Sequence, residues 1–398
     1  MYILGLNAYH GDSSACIFKD NKLVAAIEEE RIRRIKHWAG FPSESIKFCL
    51  GECDISIQDV DHITISRDPS ANIYKKITHS IKHAVSLKVL KDRFKNTRKV
   101  NSVKQELSNV FSINEAEIKA EVHNIEHHRS HMASAFFASP FEDSAILSID
   151  GFGDFTSTMI GIGRDKKIEV LDSVVYPHSV GVFYTAFTQY LGFEHYGDEY
   201  KVMGLSPYGK PTLVEKVKDV ILFKNNGLFE INKKYFKHPK EGVSMSWENG
   251  DPFIENIFSD YMVEVFGKAR LKDEEITQFH KDLASSIQKV TEELIFHILN
   301  HLQRGAGMKN ICIAGGVAQN SVANGKILDN TSFDKMYIPP AGHDAGTAIG
   351  SALWLYNHIQ GNDRIEPMQH SFFGSQFSDG EIEDFLKSEN IEYKRYSD

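Results

Sequence analysis

Long apolar runs are missing. No segment approaches the roughly 20 consecutive apolar residues that a membrane-spanning helix needs, and the opening MYILGLNAYHGD has neither the basic leader nor the apolar stretch of a secretory signal. A cytoplasmic protein without a membrane segment is expected. Cysteine is also scarce. Cys16, Cys49, Cys53 and Cys312 form no tandem metal-binding pairs, although Cys49 and Cys53 stand at near-helical spacing, and they are read as buried thiols of a reducing compartment. Surplus positive charge is lacking too: the formal net charge of -9 argues against a generic nucleic-acid or membrane-surface binder, which needs a basic field to draw in phosphates. Residues 75–104 are the local exception, with Lys75, Lys76, Lys82, Lys88, Lys91, Arg93, Lys95, Arg98, Lys99 and Lys104. They form either a solvated helical face or a contact for an anionic ligand.

What is present is ordinary globular material. With 41% hydrophobic and 25% charged residues over 398 positions, the chain is expected to build packed cores in more than one unit. Tyr2–Leu6, Ala15–Phe18 and Leu23–Ile27 read as three strands joined by the polar loop Asn7–Ser13 and a Lys19–Lys22 turn. The same grammar returns at Ala145–Ile149, Thr158–Ile162 and Ile168–Val175, with the loop Asp150–Phe155 between the first two. An internal duplication explains both. Two such units facing each other across a cleft give the duplicated α/β plan of the actin, Hsp70 and sugar-kinase (ASKHA) superfamily. The expected division is 1–143, with a charged and partly helical insertion over 42–120, then 144–358, with 359–398 as a linker or the start of a further carboxyl-terminal domain. Apolar residues at Phe279, Leu283, Ile287, Val290, Leu294, Ile298 and Leu302 predict a long amphipathic helix over Thr277–Gln303. A strand at Lys309–Ala314, a Gly315-Gly316 turn, a helix over Val317–Leu328, a strand at Lys335–Ile338 and a last helix to Asn357 follow.

The strongest chemical signal is His127-His128-Arg129-Ser130-His131. Placed four apart on a helix, His127 and His131 share one face and can bind one ion, although histidine pairs also occur on merely polar helix surfaces. Oxygen ligands must come from elsewhere. Asp150 and Asp344, each in a glycine-bearing loop, would complete an iron(II) or manganese site, while a turn or helix cap is the competing role and a live one for Asp154. Gly315 and Gly316 let a nucleotide approach the backbone, with Gln319 and Asn320 able to bond a base or ribose. His10 and Asp12 suit phosphate contact and proton transfer, or belong to an ordinary polar turn.

Taken in order, these segments resemble the O-carbamoyltransferases of antibiotic and Nod-factor biosynthesis. The resemblance rests on Gly5–Ala15, Glu28-Glu29-Glu30-Arg31 with Lys36-His37, His127–His131, Ser148–Asp154, Lys201–Gly209 and the two late glycine loops. It spans most of the chain, and Lys201–Gly209 is its most specific stretch. The resemblance implies a Kae1-like portion, similar to the TsaD proteins of tRNA threonylcarbamoylation, with metal ligands at His127, His131, Asp150 and Asp344. It also implies a carbamoyladenylate intermediate, made from ATP and carbamoyl phosphate by a YrdC-like carboxyl-terminal domain and consumed by transfer to a hydroxyl acceptor. His10 or Asp12 is then the base, and Lys36 and Lys201 contact phosphate. The chain carries no counterpart of that domain's Gly-Pro-Arg-Ala-Leu-Gly motif, so the adenylate is expected from a further part of the protein or from a partner.

Three other readings compete. A tRNA threonylcarbamoyltransferase would want a basic tRNA-binding surface, a non-catalytic nucleotide-sensing module of the actin-like fold would have no need of four metal ligands, and a sugar kinase would use magnesium and acids without a histidine-pair helix. The acceptor hydroxyl is not readable from one sequence: aminoglycoside, lipo-chitooligosaccharide, polyketide, β-lactam and hydroxymethyl-pyrimidine acceptors all suit the same donor chemistry.

Overall fold

A computed structural model describes residues 1–82, 102–243 and 245–396. Lys88, Lys91, Arg93, Lys95, Arg98 and Lys99 of the basic segment lie outside the described residues. The first sheet begins with Tyr2–Asn7 (β1), Ser14–Lys19 (β2) and Lys22–Glu28 (β3), an antiparallel meander. His62–Ile65 (β4) and Glu121–Asn124 (β5) then add in parallel, giving the order β3-β2-β1-β4-β5. The second sheet repeats this plan. Asp143–Gly153 (β6), Thr156–Arg164 (β7) and Lys167–Val175 (β8) form its meander. Two short hairpins follow, Ile221–Phe223 (β9) with Phe229–Ile231 (β10) and Met245–Glu248 (β11) with Asp251–Ile254 (β12). Asn310–Ala314 (β13) and Lys335–Tyr337 (β14) then run parallel to β6, so the order from the far edge is β8-β7-β6-β13-β14. The equal order of the two sheets bears out the duplicated α/β plan.

The helices explain how the halves meet. His127–Phe136 (α1) packs on β6 and β13, Val180–Tyr190 (α2) and the long Gln278–Ala306 (α3) build the large core on the second sheet, and Thr347–Leu353 (α4) packs on both α1 and β1. Small residues allow that last contact. A Cβ at Gly350 would stand 1.8 Å from the Ser130 carbonyl oxygen, and one at Gly5 would stand 2.2 Å from that of Ala348. Backbone therefore meets backbone at the junction, sealed by Ile3, Met132, Phe136, Ile146 and Leu353.

Some expected elements changed on folding. The helix expected over Val317–Leu328 is instead a tight turn at Gly316–Gln319 and two short helices, Ser321–Asn324 and Ile327–Asn330. The Asn320 side chain accepts from the Ala323 amide and starts a new helix there, which ends the preceding turn. Strand β4, inside the stretch read as charged and helical, was not anticipated, nor was β5 just beyond it. Each has only four residues, too few to display a period.

One stability effect follows from the second half. His178 accepts the Ile231 amide at 3.1 Å and His238 meets the Pro177 carbonyl at 2.9 Å. Burial depresses each imidazole from an ordinary 6.5 to about 4. The unfolded chain takes up these protons below its own pKa while the folded chain does not, so their stabilisation is complete above about pH 6.5 and is lost as pH falls towards 4. Thermal melts are expected to drop by several degrees across that window, and the His178→Gln/His238→Gln double variant to drop less. Parallel curves for the two proteins would refute the assignment.

Candidate metal centre and its cleft

The carboxyl ends of β1, β4, β6 and β13 open onto one cleft, the place where open α/β sheets present ligands. Helix α1 starts at that edge because its first amides are taken up by acids: Asp154 accepts from the His127 amide at 3.0 Å, and Glu126 accepts from that of Arg129 at 2.8 Å. Asp154 therefore acts as a cap, and it ties in the Asp68 amide as well. The first turns of α1 carry His127 and His131, both buried. Strand β6 shifts register between Ile149 and Gly153, which brings Asp150 to the same point. The tight turn at Asp344–Gly346 brings in Asp344.

These four side chains converge. Asp150 Oδ2 lies 3.1 Å from His127 Nε2 and 3.2 Å from His131 Nε2, and the two imidazole nitrogens are 3.1 Å apart. Asp344 Oδ1 is 3.5 Å from His127 Nε2 and 3.3 Å from His131 Nε2. Donors bound at about 2.0–2.2 Å to one ion sit about 3.0–3.5 Å from each other, so this spacing fits a divalent cation. The charges fit too. Burial works against a charged His127, but Asp344 and Asp150 outweigh it and hold its pKa well above the ordinary value. Burial would raise both aspartates, and Asp344 would raise Asp150 further; contacts with His127 and His131 for Asp150, and with His10 and His127 for Asp344, depress both instead. Two ionised carboxylates set against a His127 that they hold protonated is the state a cation would replace.

The remaining sequence candidates are distributed around this centre. His10 contacts the other oxygen of Asp344 through Nδ1 and lines the cleft with Asn7, Ser66, Arg67 and Phe152. Asp12 is turned aside, its carboxylate 2.6 Å from His37 Nδ1. Burial opposes a charge on His37, yet Asp12 raises its pKa, and its Nε2 is buried without a hydrogen-bond partner. Gly315 takes φ +106, where a Cβ would stand 2.1 Å from the Ile149 carbonyl oxygen, and the Gly316 amide donates to Asp150 Oδ1 at 3.0 Å. Gln319, with its carbonyl oxygen turned inward, accepts from the amides of Gly342 and His343. Asn320 is drawn away into the protein: it exchanges hydrogen bonds of 2.9 and 3.0 Å with Gln288 and caps the next helix. Lys36 and Lys201 gather at the ring of Tyr200, 5.0 and 5.9 Å from its centroid, and Lys201 pairs with Asp198 at 2.7 Å. Sequence reasoning gave no role to His37, Arg67 or the His343–Glu28 pair at 3.6 Å. The Lys36-His37 dipeptide was the available signal for the first; the others lie in loops of no distinctive spacing.

A twice-repeated α/β sheet plan with a two-histidine, two-aspartate cluster defines a duplicated α/β protein with a candidate divalent-metal centre. The chain belongs to the carbamoyltransferase family: residues 2–353 match the model described as the carbamoyltransferase N-terminus. It is 36% identical over 415 residues to the uncharacterised protein sll1178 of Synechocystis, covering 100% of this chain and 65% of that protein. It is 31% identical over 389 residues to the nodulation protein NolNO of Sinorhizobium fredii, covering 96% and 51%. The chain thus spans between half and two thirds of the length of these relatives. Among solved structures it is similar to component A of the (R)-2-hydroxyglutaryl-CoA dehydratase of Acidaminococcus fermentans, at 13% identity and a TM-score of 0.44 over 90% of this chain and 99% of that one. No helix of the described residues is long and apolar enough to cross a membrane.

Proposed function

We propose that this chain carries the transfer half of O-carbamoylation, moving a carbamoyl group from carbamoyladenylate to a hydroxyl of a sugar or other small-molecule acceptor. The observation that carries the reading is the buried cluster of His127, His131, Asp150 and Asp344 with His10 set against Asp344, in a member of the carbamoyltransferase family. Iron(II) or another divalent ion held by the four donors would polarise the carbamoyl carbonyl and stabilise charge on its oxygen. The protein's own groups do the rest. The acceptor oxygen attacks the carbamoyl carbon, the bond from that carbon to the phosphate oxygen breaks, and AMP leaves with the electron pair. His10, with Nδ1 engaged by Asp344, takes the hydroxyl proton through Nε2; Asp12 acts on the same edge through His37. Lys36 and Lys201 answer the phosphate charge, and the backbone at Gly315 and Gly316, with Gln319, borders the adenosine. Asn320 contributes through the Gln288 network that holds this turn. Synthesis of the adenylate from ATP and carbamoyl phosphate is assigned to a YrdC-like domain or partner.

The test separates activation from transfer. The chain, loaded with iron(II), is expected to release AMP and form carbamoylated product from presynthesised carbamoyladenylate and a suitable acceptor, and to turn over carbamoyl phosphate with ATP poorly. Mass spectrometry across aminoglycoside, lipo-chitooligosaccharide, polyketide, β-lactam and hydroxymethyl-pyrimidine acceptors reads the product. No product with any acceptor would defeat the proposal.

A further inference from the structure

At the opposite end of β4 from the cleft, a second group of ligating side chains meets. His62 opens β4 and pairs in register with Glu121 on β5, while His123 pairs with Thr64. Residues paired or two apart share a sheet face, so His62, Glu121 and His123 project together. It is the face on which α4 lies, since Thr64 Oγ1 is 2.8 Å from Ser351 Oγ; Ile63 and Ile65 point the other way into the core. His62 Nδ1 stands 3.1 Å from His123 Nε2, and a Glu121 carboxylate oxygen lies 3.9 Å from the first and 3.7 Å from the second.

We propose that His62, His123 and Glu121 form a second metal site, for a zinc-class divalent ion, across the edge strand β5 and its neighbour β4. A tetrahedral ion with bonds near 2.0–2.1 Å holds its ligands about 3.3 Å apart. The two nitrogens already meet that spacing, and the carboxylate needs to close in by about half an ångström. Glu121 can do so, because its side chain is 70% exposed while the imidazoles are 19% and 18% exposed. The rigid part of the site is therefore its nitrogen pair and the adjustable part its oxygen. Burial, opposed by Glu121, lowers the pKa of His123 and leaves its ring available as a neutral donor. Two nitrogens and one carboxylate leave a fourth position open to solvent, where water or a donor atom from another molecule completes the shell.

The competing explanation is a plain hydrogen bond. Gln360 Nε2 lies 3.3 Å from His62 Nε2, so His62 would carry its proton on Nδ1 and donate it to His123. Metal binding requires that proton to leave Nδ1. His62 Nε2–H then donates to a Gln360 amide turned over from its present bond with Asn362. The two states thus differ in which His62 nitrogen is protonated, and NMR can read that directly.

The site is independent of the cleft, so it is tested in a chain whose cleft ligand His131 is replaced. The metal-free His131→Ala protein is expected to bind one equivalent of Zn2+, with Co2+ giving the visible absorption of a four-coordinate site. Imidazole 15N shifts of His62 and His123 should move together on Zn2+ addition. Adding His62→Ala and His123→Ala should abolish the binding, and Glu121→Gln, a surface change, should weaken it by roughly tenfold or more. Retention of zinc by the His131→Ala/His62→Ala/His123→Ala chain, or imidazole shifts unmoved by Zn2+, would overturn the site and leave the hydrogen-bonded histidine pair. The His131→Ala outcome at the cleft is read from transfer activity and does not enter this count.

Discussion

His131→Ala is expected to remove metal from the cleft and to slow transfer from carbamoyladenylate by roughly a thousandfold or more, the scale associated with losing a group that stabilises developing oxyanion charge. His131 is fully buried in the packed helix α1. Its truncation leaves a cavity and, without metal, leaves Asp150 facing His127 and Asp344 facing His127 and His10. A stability loss of about 2 kcal/mol or more is therefore expected along with the catalytic one. His131→Asn keeps much of the volume and separates the two effects. Melting temperature and product formation are measured on both variants beside the wild type. A folded His131→Ala protein that transfers at the wild-type rate would remove the basis of the proposed mechanism.

Gly350→Ala is expected to be strongly damaging although it adds a single methyl group. The new Cβ would stand 1.8 Å from the Ser130 carbonyl oxygen and 3.0 Å from the Ser134 amide, both backbone atoms that cannot rotate away. Helix α4 must then move off α1 by more than a side-chain adjustment. Overpacking of this kind costs about 1–3 kcal/mol and more where backbone is involved. The displacement also reaches the cleft, because α1 carries His127 and His131 while Asp344 lies in the turn leading into α4. Lower melting temperature together with weaker metal binding is the expected pair. Gly305→Ala supplies the control: that glycine lies in α3 with open space around its missing Cβ, and alanine there should stabilise by about 0.5–1 kcal/mol. Equal melting temperatures for the Gly350→Ala and wild-type chains would contradict the close helix contact.

The sequence disclosed those parts of the molecule whose physics is local. The meander strands β1–β3 and β6–β8 are long enough for their apolar pattern to show, and α3 carries the repeat of a helix through eight turns. The i, i+4 spacing of His127 and His131 needs only a helix to become a pair of ligands. Asp150 was legible as an acid at a strand end, and Asp344 as an acid in a glycine loop. What stayed hidden depends on distant chain segments. Asp12 and His37 meet across two turns, and Asn320 is captured by Gln288 from α3, so its amide serves the fold. The His62–His123 pair exists only because β4 and β5, each too short to advertise itself, lie side by side.

The two oxygens of Asp150 are divided between two tasks: Oδ2 faces the histidines and Oδ1 holds the amide of Gly316. One rigid carboxylate thus joins the metal ligands to the turn that borders the adenosine in the proposed function. Any occupant that shifts that turn alters the angle Asp150 offers to a cation, and by thermodynamic reciprocity the cation alters the affinity for that occupant by the same factor. With the proposed cation and nucleotide as occupants, the cleft would behave as one heterotropic unit, in which loading order changes while the product of the two stepwise affinities stays fixed.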